Sequence, residues 1–192
     1  MTRNIDYYLT PTSPWSYLGH ERFARIAQRH GASVAVKPVD YGVIFPQSGG
    51  LPLGKRAPQR QAYRMTELAR WKEFLGVPLN LQPKFFPADP ISAACIVCAM
   101  PPDRQMAAAG DFMRAVWAEE KNIADIGVLT EIAARHGVAD APAAIVRGKA
   151  IFERNTQEAV ARQVFGAPTF VLDGTLFWGQ DRLDFLDRAL AR

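Results

Sequence analysis

The chain has 192 residues, of which 48% are hydrophobic and 22% charged, a composition typical of a globular protein large enough to bury a core. Its 23 Lys and Arg against 19 Asp and Glu give a net charge of +4, and because the basic residues are scattered, nucleic acid is not an expected partner. No early apolar run follows a charged start and no long apolar stretch occurs, so we expect a cytoplasmic protein without a signal peptide or membrane span.

The first predicted unit is a strand that runs into a helix. Residues 5–9 are short, aromatic and β-prone, which predicts a buried strand. Pro14 suits a first helical turn, and an apolar face continues the helix to Gly31. Ser13 therefore stands at a helix N-terminus, where free N–H groups and the helix dipole favour an anion. Residues 33–38 alternate and predict a second strand.

The middle of the chain is predicted to be a loop followed by helices. Residues 41–58 are rich in Gly and Pro, which indicates a long loop. Apolar residues at helical spacing then follow, and Asp125 is a candidate cap for the last of these helices. The residues that define the faces are Met65, Leu68, Trp71 and Leu75; Ile91, Ala94, Cys95, Cys98 and Ala99; Met106, Ala109, Met113, Val116 and Trp117; and Val128, Leu129 and Ile132.

The last part of the chain predicts a helix and a hairpin. Asn155 and Glu158 resemble the N-terminal capping pair of a helix. Residues 169–172 and 175–178 are β-prone, and the Asp173-Gly174 dipeptide between them is typical of a hairpin turn.

The final helix is predicted to begin near Gln180 and Asp181, with Leu183, Leu186 and Leu190 facing inward. The order β-α-β, a helical block, then α-β-β-α predicts an α/β, thioredoxin-like fold with a mixed β-sheet and a helical insertion. The thioredoxin-like domain would comprise residues 1–56 and 142–192, and the insertion residues 57–141.

Ser13 occupies the position at which thioredoxin-fold proteins carry the first cysteine of Cys-x-x-Cys. The spacing survives as Ser13 and Ser16, without sulfur. A site that favours anions but has no thiol suggests that a bound molecule brings the thiolate. The alternative is that Ser13 is only a helix cap.

Ala167-Pro168-Thr169 is a second candidate element of the site. In thioredoxin-like folds a cis-proline precedes the third strand, and the residue before it offers its N–H and C=O to an extended peptide. The alternative is that Pro168 merely starts a strand. Gln180 and Asp181 could bind a γ-glutamyl group, or could simply form the acidic first turn of a helix.

The remaining reactive side chains favour structural roles. Cys95 and Cys98 fall on an apolar helix face, which favours core packing over a reactive pair. No metal site is predicted, and His30 and His136 each precede Gly, which suggests helix C-terminal capping. Trp15 and Tyr17 could line a substrate pocket, although core packing explains them equally well.

Several motifs together resemble one family, the 2-hydroxychromene-2-carboxylate isomerases, which are relatives of the kappa-class glutathione transferases. The likeness covers almost the whole chain in the same order. The motifs are Ser13-Pro14-Trp15-Ser16-Tyr17-Leu18, Ser48-Gly49, Phe86-Pro87, Gly166-Ala167-Pro168-Thr169-Phe170 and Phe177-Trp178-Gly179-Gln180-Asp181-Arg182-Leu183.

The resemblance implies a cytoplasmic, commonly dimeric enzyme with glutathione as cofactor and a small aromatic carboxylate as substrate. It implies that Ser13 holds the glutathione sulfur and that Ala167, before Pro168, pairs with the cysteinyl backbone. It also implies that Gln180 and Asp181 hold the γ-glutamyl end.

The second-substrate region is where the resemblance weakens. Arg60 would occupy the place of a basic residue near the active site. Gly50 departs from the pattern, because the family usually has Asn after Ser48-Gly49, so a side-chain contact is lost there.

The implied reaction is the glutathione-dependent interconversion of 2-hydroxychromene-2-carboxylate and trans-o-hydroxybenzylidenepyruvate in aromatic catabolism, by nucleophilic catalysis with a thiolate that glutathione supplies. Three alternatives stay open. They are a kappa-like glutathione transferase or peroxidase, a dithiol oxidoreductase that uses Cys95 and Cys98, and a non-catalytic glutathione-binding protein.

Overall fold

A computed structural model describes residues 3–192. Four strands and eight α-helices follow one another in these residues, together with 3₁₀ turns at Leu53–Lys55 and Gln180–Arg182. Their bounds are β1 Asn4–Leu9, α1 Pro14–Arg29, β2 Ser33–Pro38, α2 Tyr41–Ser48, α3 Pro58–Leu75, α4 Ile91–Ala99, α5 Pro102–Trp117, α6 Ile126–Arg135, α7 Ala141–Ala161, β3 Thr169–Leu172, β4 Thr175–Trp178 and α8 Leu183–Leu190.

The four strands form one mixed sheet in the order β2-β1-β3-β4. β1 is parallel to β2 and antiparallel to β3, and β3 is antiparallel to β4. This is the predicted thioredoxin-like α/β fold. The hairpin is confirmed, since Asp173 and Gly174 have φ of 49° and 81°, the left-handed conformations that a two-residue hairpin turn requires.

The central strand β1 is buried in every residue except Asn4, as expected for a strand covered on both faces. Aromatic packing fixes α1 against the sheet. The ring centroid of Phe170 lies 5.1 Å from that of Tyr7 and 4.5 Å from that of Phe23. The first helix therefore has a rigid platform, and its N-terminus stays at the carboxyl end of β1.

The helices α3 to α6 lie between β2 and α7 in the chain, where the helical insertion was predicted. The assignment of residues 57–141 to a separate insertion, outside a domain of residues 1–56 and 142–192, remains a prediction. α4 and α7 approach closely, because a Cβ added at Gly148 would lie 1.8 Å from the carbonyl oxygen of Cys95. Nowhere in residues 3–192 is there a helix with the length and apolar character needed to cross a membrane.

The prediction of one long loop over residues 41–58 was wrong, because α2 forms there. The Asp40 carboxylate accepts from the Gly42 N–H at 2.7 Å, and Gly49 ends the helix at φ 73°. Tyr41 and Ile44 are buried. A capping Asp, a terminal Gly and two buried apolar residues outweigh the Gly and Pro content.

The prediction that Asn155 and Glu158 begin a helix was also wrong. α7 begins fourteen residues earlier, at Ala141, and Asp140 caps it by accepting from the Ala143 N–H at 2.9 Å. Asn155 lies inside α7 and is 7% exposed. Glu158 instead accepts from Lys37 Nζ at 2.7 Å, so its position reflects an ion pair.

Candidate active site

Ser13 lies in the turn between β1 and α1. Its N–H donates to the Thr10 carbonyl at 3.0 Å, and its Oγ accepts from the Ser16 N–H at 3.1 Å. Ser13 therefore caps α1, which was the alternative to a functional role. Since Oγ acts as the acceptor in that bond, the hydroxyl proton can still be donated to an anion.

The first turn of α1 offers one further donor. Pro14 has no N–H, and the N–H groups of Ser16 and Tyr17 donate to the Oγ and the carbonyl of Ser13. Among the hydrogen bonds of residues 3–192, none uses the Trp15 N–H. The Ser13 hydroxyl and the Trp15 N–H are thus two donors at the positive end of the helix dipole.

The Ala167–Pro168 peptide bond is cis, as predicted. Tyr8 of β1 pairs with Thr169 of β3, so Pro168 lies at the carboxyl end of β1, where the turn to Ser13 begins. Ala167 is half-buried, and within the described chain no hydrogen bond uses its N–H or C=O. Its main chain can pair with an extended peptide next to the N-terminus of α1.

Gln180 lies against α1. Its Cβ would be 2.6 Å from a Cβ added at Gly19, so only glycine permits this approach. Gln180 is 2% exposed, while the Asp181 carboxylate is partly exposed and accepts from Arg182 Nη1 at 2.7 Å. The structure therefore brings these predicted residues to the flank of α1, with Asp181 already paired to an exposed arginine.

Three buried side-chain atoms in residues 3–192 have no hydrogen-bond partner, namely Ser16 Oγ, Trp117 Nε1 and Gln180 Oε1. Ser16 belongs to α1 and Gln180 packs against it, whereas the Trp117 ring packs against Phe86. Buried polar groups are nearly always satisfied in folded proteins. The Ser16 and Gln180 atoms on α1 can therefore pair with polar groups from outside the chain.

A buried polar pair lies beneath the first turns of α1. The Tyr7 hydroxyl is 3.3 Å from His20 Nδ1, and His20 Nε2 is 3.0 Å from the Met106 carbonyl. Burial raises the pKa of Tyr7, although the nearby Ser16 hydroxyl, without a well-aligned hydrogen bond, opposes this shift. Burial lowers the pKa of His20. Both side chains are therefore held neutral at physiological pH.

The helix α5 runs antiparallel to α1 and reaches its N-terminal end. His20 contacts the Met106 carbonyl, and a Cβ at Gly110 would lie 2.9 Å from His20 Nε2. Tyr17 lies one turn before His20 in α1, and Arg114 lies one turn after Gly110 in α5. The positive charge of Arg114 lowers the pKa of Tyr17, against the larger effect of burial, which raises it. Trp117, the last residue of α5, therefore lies at the same end of α1 as Ser13.

Trp15 and Tyr17 are half-buried and pack against the main hydrophobic core. The Tyr17 hydroxyl donates to the Pro78 carbonyl at 2.7 Å. Core packing, one of the two interpretations of these residues, is therefore present. A role for either in a substrate pocket stays a prediction.

Arg60 lies in the first turn of α3 and is exposed. Arg64 follows it by one turn of α3, and Arg56 lies four residues before it, in the segment that precedes the helix. Arg64 is half-buried, and its Cζ lies 5.6 Å from the ring centroid of Phe86 and 5.9 Å from that of Trp117. Sequence reasoning singled out Arg60 and missed Arg64. The spacing of four predicts that Arg60 and Arg64 share a helix face, but it does not predict the packing of Arg64 on the two rings.

Gly50 is packed against an aromatic side chain. A Cβ added there would lie 2.3 Å from Cδ1 of Phe45, so no side chain fits at position 50 without displacement of that ring. Phe45 and Ala167 pack against the same hydrophobic cluster. The Phe45 ring therefore lies where a side chain at position 50 would begin, a contact that sequence reasoning missed.

The two cysteines are buried, as predicted. Burial raises the pKa of both thiols, to about 12 for Cys98, which also accepts a hydrogen bond from Asn155 Nδ2 at 3.6 Å. His30 and His136 are the C-caps of α1 and α6, which confirms that interpretation. In the part of the chain that the structure describes, no group of three or more His, Cys, Asp or Glu could hold a metal.

Comparisons with known proteins agree with this geometry. A family model described as "DSBA-like thioredoxin domain" matches residues 4–191. The chain is 31% identical to a 2-hydroxychromene-2-carboxylate isomerase of Sphingobium xenophagum, over 99% of both chains. It is 24% identical to a glutathione S-transferase kappa 1 of Caenorhabditis elegans, over 95% of this chain and 88% of that protein.

A solved structure of a 2-hydroxychromene-2-carboxylate isomerase superposes with a TM-score of 0.82 and 23% identity. The alignment covers 98% of this chain and 95% of that one. At this level of identity the match establishes the likeness of the fold.

Proposed function

Because the chain belongs to the 2-hydroxychromene-2-carboxylate isomerase family of DSBA-like thioredoxin domains, we propose that it is a glutathione-dependent isomerase. Its reaction would be the interconversion of 2-hydroxychromene-2-carboxylate and trans-o-hydroxybenzylidenepyruvate. The observation that carries the proposal is a thioredoxin-type anion site with Ser13 in place of the reactive cysteine. A site of this kind needs a thiol from elsewhere.

The residues present fit glutathione. The free N–H and C=O of Ala167, before cis-Pro168, suit the main chain of the cysteinyl residue. The unpartnered Gln180 Oε1 suits the γ-glutamyl ammonium, and the Asp181 carboxylate adds negative charge beside it. When bound, glutathione would supply the nucleophilic thiolate that this site lacks.

The contribution required of this chain is preferential binding of a thiolate over a thiol. Lowering a thiol pKa from about 8.5 to about 6.5 needs about 2.7 kcal/mol. A hydrogen bond to a charged group contributes about 1.5–3 kcal/mol and a helix dipole about 0.3–1 kcal/mol. The Ser13 hydroxyl and the Trp15 N–H, at the N-terminus of α1, are sufficient to supply this difference.

The function is tested by a spectrophotometric assay of the chromene carboxylate with and without glutathione. Ser13→Ala is expected to lower kcat by about 10²-fold, as for loss of one donor to a developing anion. It should also raise the pKa of enzyme-bound glutathione, measured from thiolate absorbance. Absence of glutathione-dependent isomerisation by the wild-type protein would contradict the proposal.

Capping and thiolate binding are separated by Ser13→Asp. A carboxylate is as good a helix cap as a hydroxyl, so the free energy of unfolding should change little. The same carboxylate repels a thiolate and has no proton to donate, so activity should be lost. A fully active Ser13→Asp variant would mean that Ser13 serves only as a cap.

A kappa-like glutathione transferase is the second candidate, and one observation favours it. The Phe45 ring against Gly50 replaces the amide that the isomerases usually carry in the second-substrate region. An apolar wall suits a broader range of electrophiles. Steady conjugation of a generic electrophile, without isomerase activity, would identify the protein as a transferase.

A further inference from the structure

Arg64 is a half-buried cation without an anionic partner. Its guanidinium is stacked over the rings of Phe86 and Trp117, with Cζ 5.6 Å and 5.9 Å from the two centroids. Its hydrogen bond is a weak one, from Nη1 to Met65 Sδ at 3.8 Å. No carboxylate in residues 3–192 pairs with it. A charge removed from water normally requires a partner.

Two neighbouring arginines increase the positive potential at this place. Arg56 lies close enough to Arg64 to affect it, and Arg60 in turn affects Arg56. Burial, followed by the charge of Arg56, lowers the pKa of Arg64 to about 10. Arg64 is still charged at neutral pH, and a bound anion would relieve the repulsion.

A buried hydrogen-bond donor without an acceptor lies next to Arg64. Trp117 is fully buried, and its Nε1–H has no partner. A buried indole N–H normally finds an acceptor. The unpaired cation is complementary to a ligand that carries acceptor oxygens, and the enclosed indole N–H beside it is a second polar group without an acceptor.

This arrangement lies on a different flank of α1 from the proposed glutathione residues. Gly19 faces Gln180, whereas His20 faces α5. Successive helical residues are about 100° apart, so Gln180 and Trp117 approach α1 from different directions. Because the antiparallel packing of α5 brings Trp117 to the Ser13 end, a ligand on Arg64 would lie at the same end of α1 as the site of the thiolate.

We propose, on the basis of the function proposed above, that Arg64, backed by Phe86 and Trp117, binds the carboxylate of the second, aromatic substrate. Arg presents a planar fork that matches a carboxylate. The partly exposed Phe86 ring provides a surface on which a planar conjugated substrate can pack. The glycyl carboxylate of glutathione shares this chemistry, so the test must distinguish the two sources.

The test is calorimetric titration of o-hydroxycinnamate, and of its neutral amide, into the protein without glutathione. Arg64→Gln should weaken binding of the carboxylate by about 10- to 100-fold, the effect of losing a charged hydrogen bond, and leave the amide unchanged. Arg70→Gln is the matched control, since Arg70 lies on the same helix but donates to Glu67 at 2.8 Å. It should bind as the wild type does.

Kinetics separate this proposal from the proposed reaction. With an active wild-type enzyme, Arg64→Gln should raise KM for the chromene carboxylate more than it lowers kcat, and Arg64→Lys should restore part of the loss. Unchanged KM and unchanged o-hydroxycinnamate binding would overturn the proposal while the reaction stands. Weaker carboxylate binding in a protein without isomerase activity would support the subsite alone.

Glutathione binding identifies the source of the carboxylate. The proposal expects the glutathione Kd of Arg64→Gln to stay within about twofold of the wild type, with an unchanged midpoint of thermal unfolding. A large loss of glutathione affinity with normal o-hydroxycinnamate binding would assign Arg64 to the tripeptide. Loss of o-hydroxycinnamate binding in Arg60→Gln instead would assign the carboxylate to Arg60. Either result would overturn the proposal.

Discussion

Two pairs of residues with the same spacing lie in contrasting surroundings. Ser13 and Ser16 lie at the N-terminus of α1 and are 8% and 0% exposed, and Ser13 caps the helix there. Cys95 and Cys98 lie within α4 and are 1% and 3% exposed. The pair that carries sulfur is embedded in the core, and the pair that lies at the positive end of a helix carries none.

The comparison indicates that position, and not the presence of a thiol, decides where thiol chemistry can take place. A helix N-terminus stabilises an anion through free N–H groups and the dipole. The middle of a buried helix removes water, an effect larger than that of the charges around the two thiols, so it stabilises the neutral thiol. The following predictions test each half of this comparison.

The largest expected effect concerns the reactivity of the native cysteines. At about pH 8 a thiol of pKa about 12, the value for Cys98, is ionised in about one molecule in 10⁴, against about one in four for free cysteine. Alkylation of Cys98 by iodoacetamide in the folded protein should therefore be about 10³-fold slower than in urea. The number of labelled thiols, counted by mass spectrometry, checks this.

Limited unfolding is the control for that measurement. If native labelling tracks the population of unfolded chains as denaturant is added, the thiols react only after the fold opens. Rapid labelling of Cys95 or Cys98 in the folded protein would contradict the comparison and would support the dithiol oxidoreductase alternative.

A smaller effect is expected from moving a thiol into the site. A cysteine introduced by Ser13→Cys should have its pKa lowered, because thiols at helix N-termini titrate at about 3.5–7.5. At about pH 6 its thiolate fraction would exceed that of free cysteine by about 10- to 300-fold. The rate of alkylation against pH measures this shift.

Ser48→Cys is the matched control, since Ser48 is the exposed last residue of α2. A helix C-terminus carries the negative end of the dipole and disfavours a thiolate. Its thiol should titrate at or above the ordinary pKa. Equal titration curves for the two variants would mean that the N-terminus of α1 does not stabilise anions.

The sequence was sufficient to predict the surroundings of Ser13 at the N-terminus of α1, because the signals for them are local. Pro14 in a first turn, the serine spacing and Ala167-Pro168 each act within a few residues. The Arg64 arrangement could not be predicted in this way. It joins α3, the segment around Phe86 and the end of α5, which meet only through tertiary packing. Phe45 against Gly50 was missed because α2 was taken for a loop.

The smallest expected effect is on stability. Cys98→Ala removes a buried sulfur and should cost about 1–2 kcal/mol at neutral pH. The pKa of Cys98 is higher in the folded chain than in the unfolded one, so the stability from its neutral form is complete below about pH 8.5 and is lost as the pH rises toward 12. The wild type should lose about 1.4 kcal/mol relative to Cys98→Ala between about pH 7 and 9.5.

Urea unfolding at the two pH values measures how far the difference in free energy of unfolding between the wild type and Cys98→Ala decreases. Val97→Ala is the control. Val97 is fully buried in the same helix but does not titrate, so its cost should be the same at both pH values. If the free energy of unfolding of Cys98→Ala and of the wild type changed equally with pH, the thiol would not be held neutral by the fold. Isomerase activity should be unchanged in Cys98→Ala, because Ser13, and not the buried sulfur, is expected to carry the chemistry.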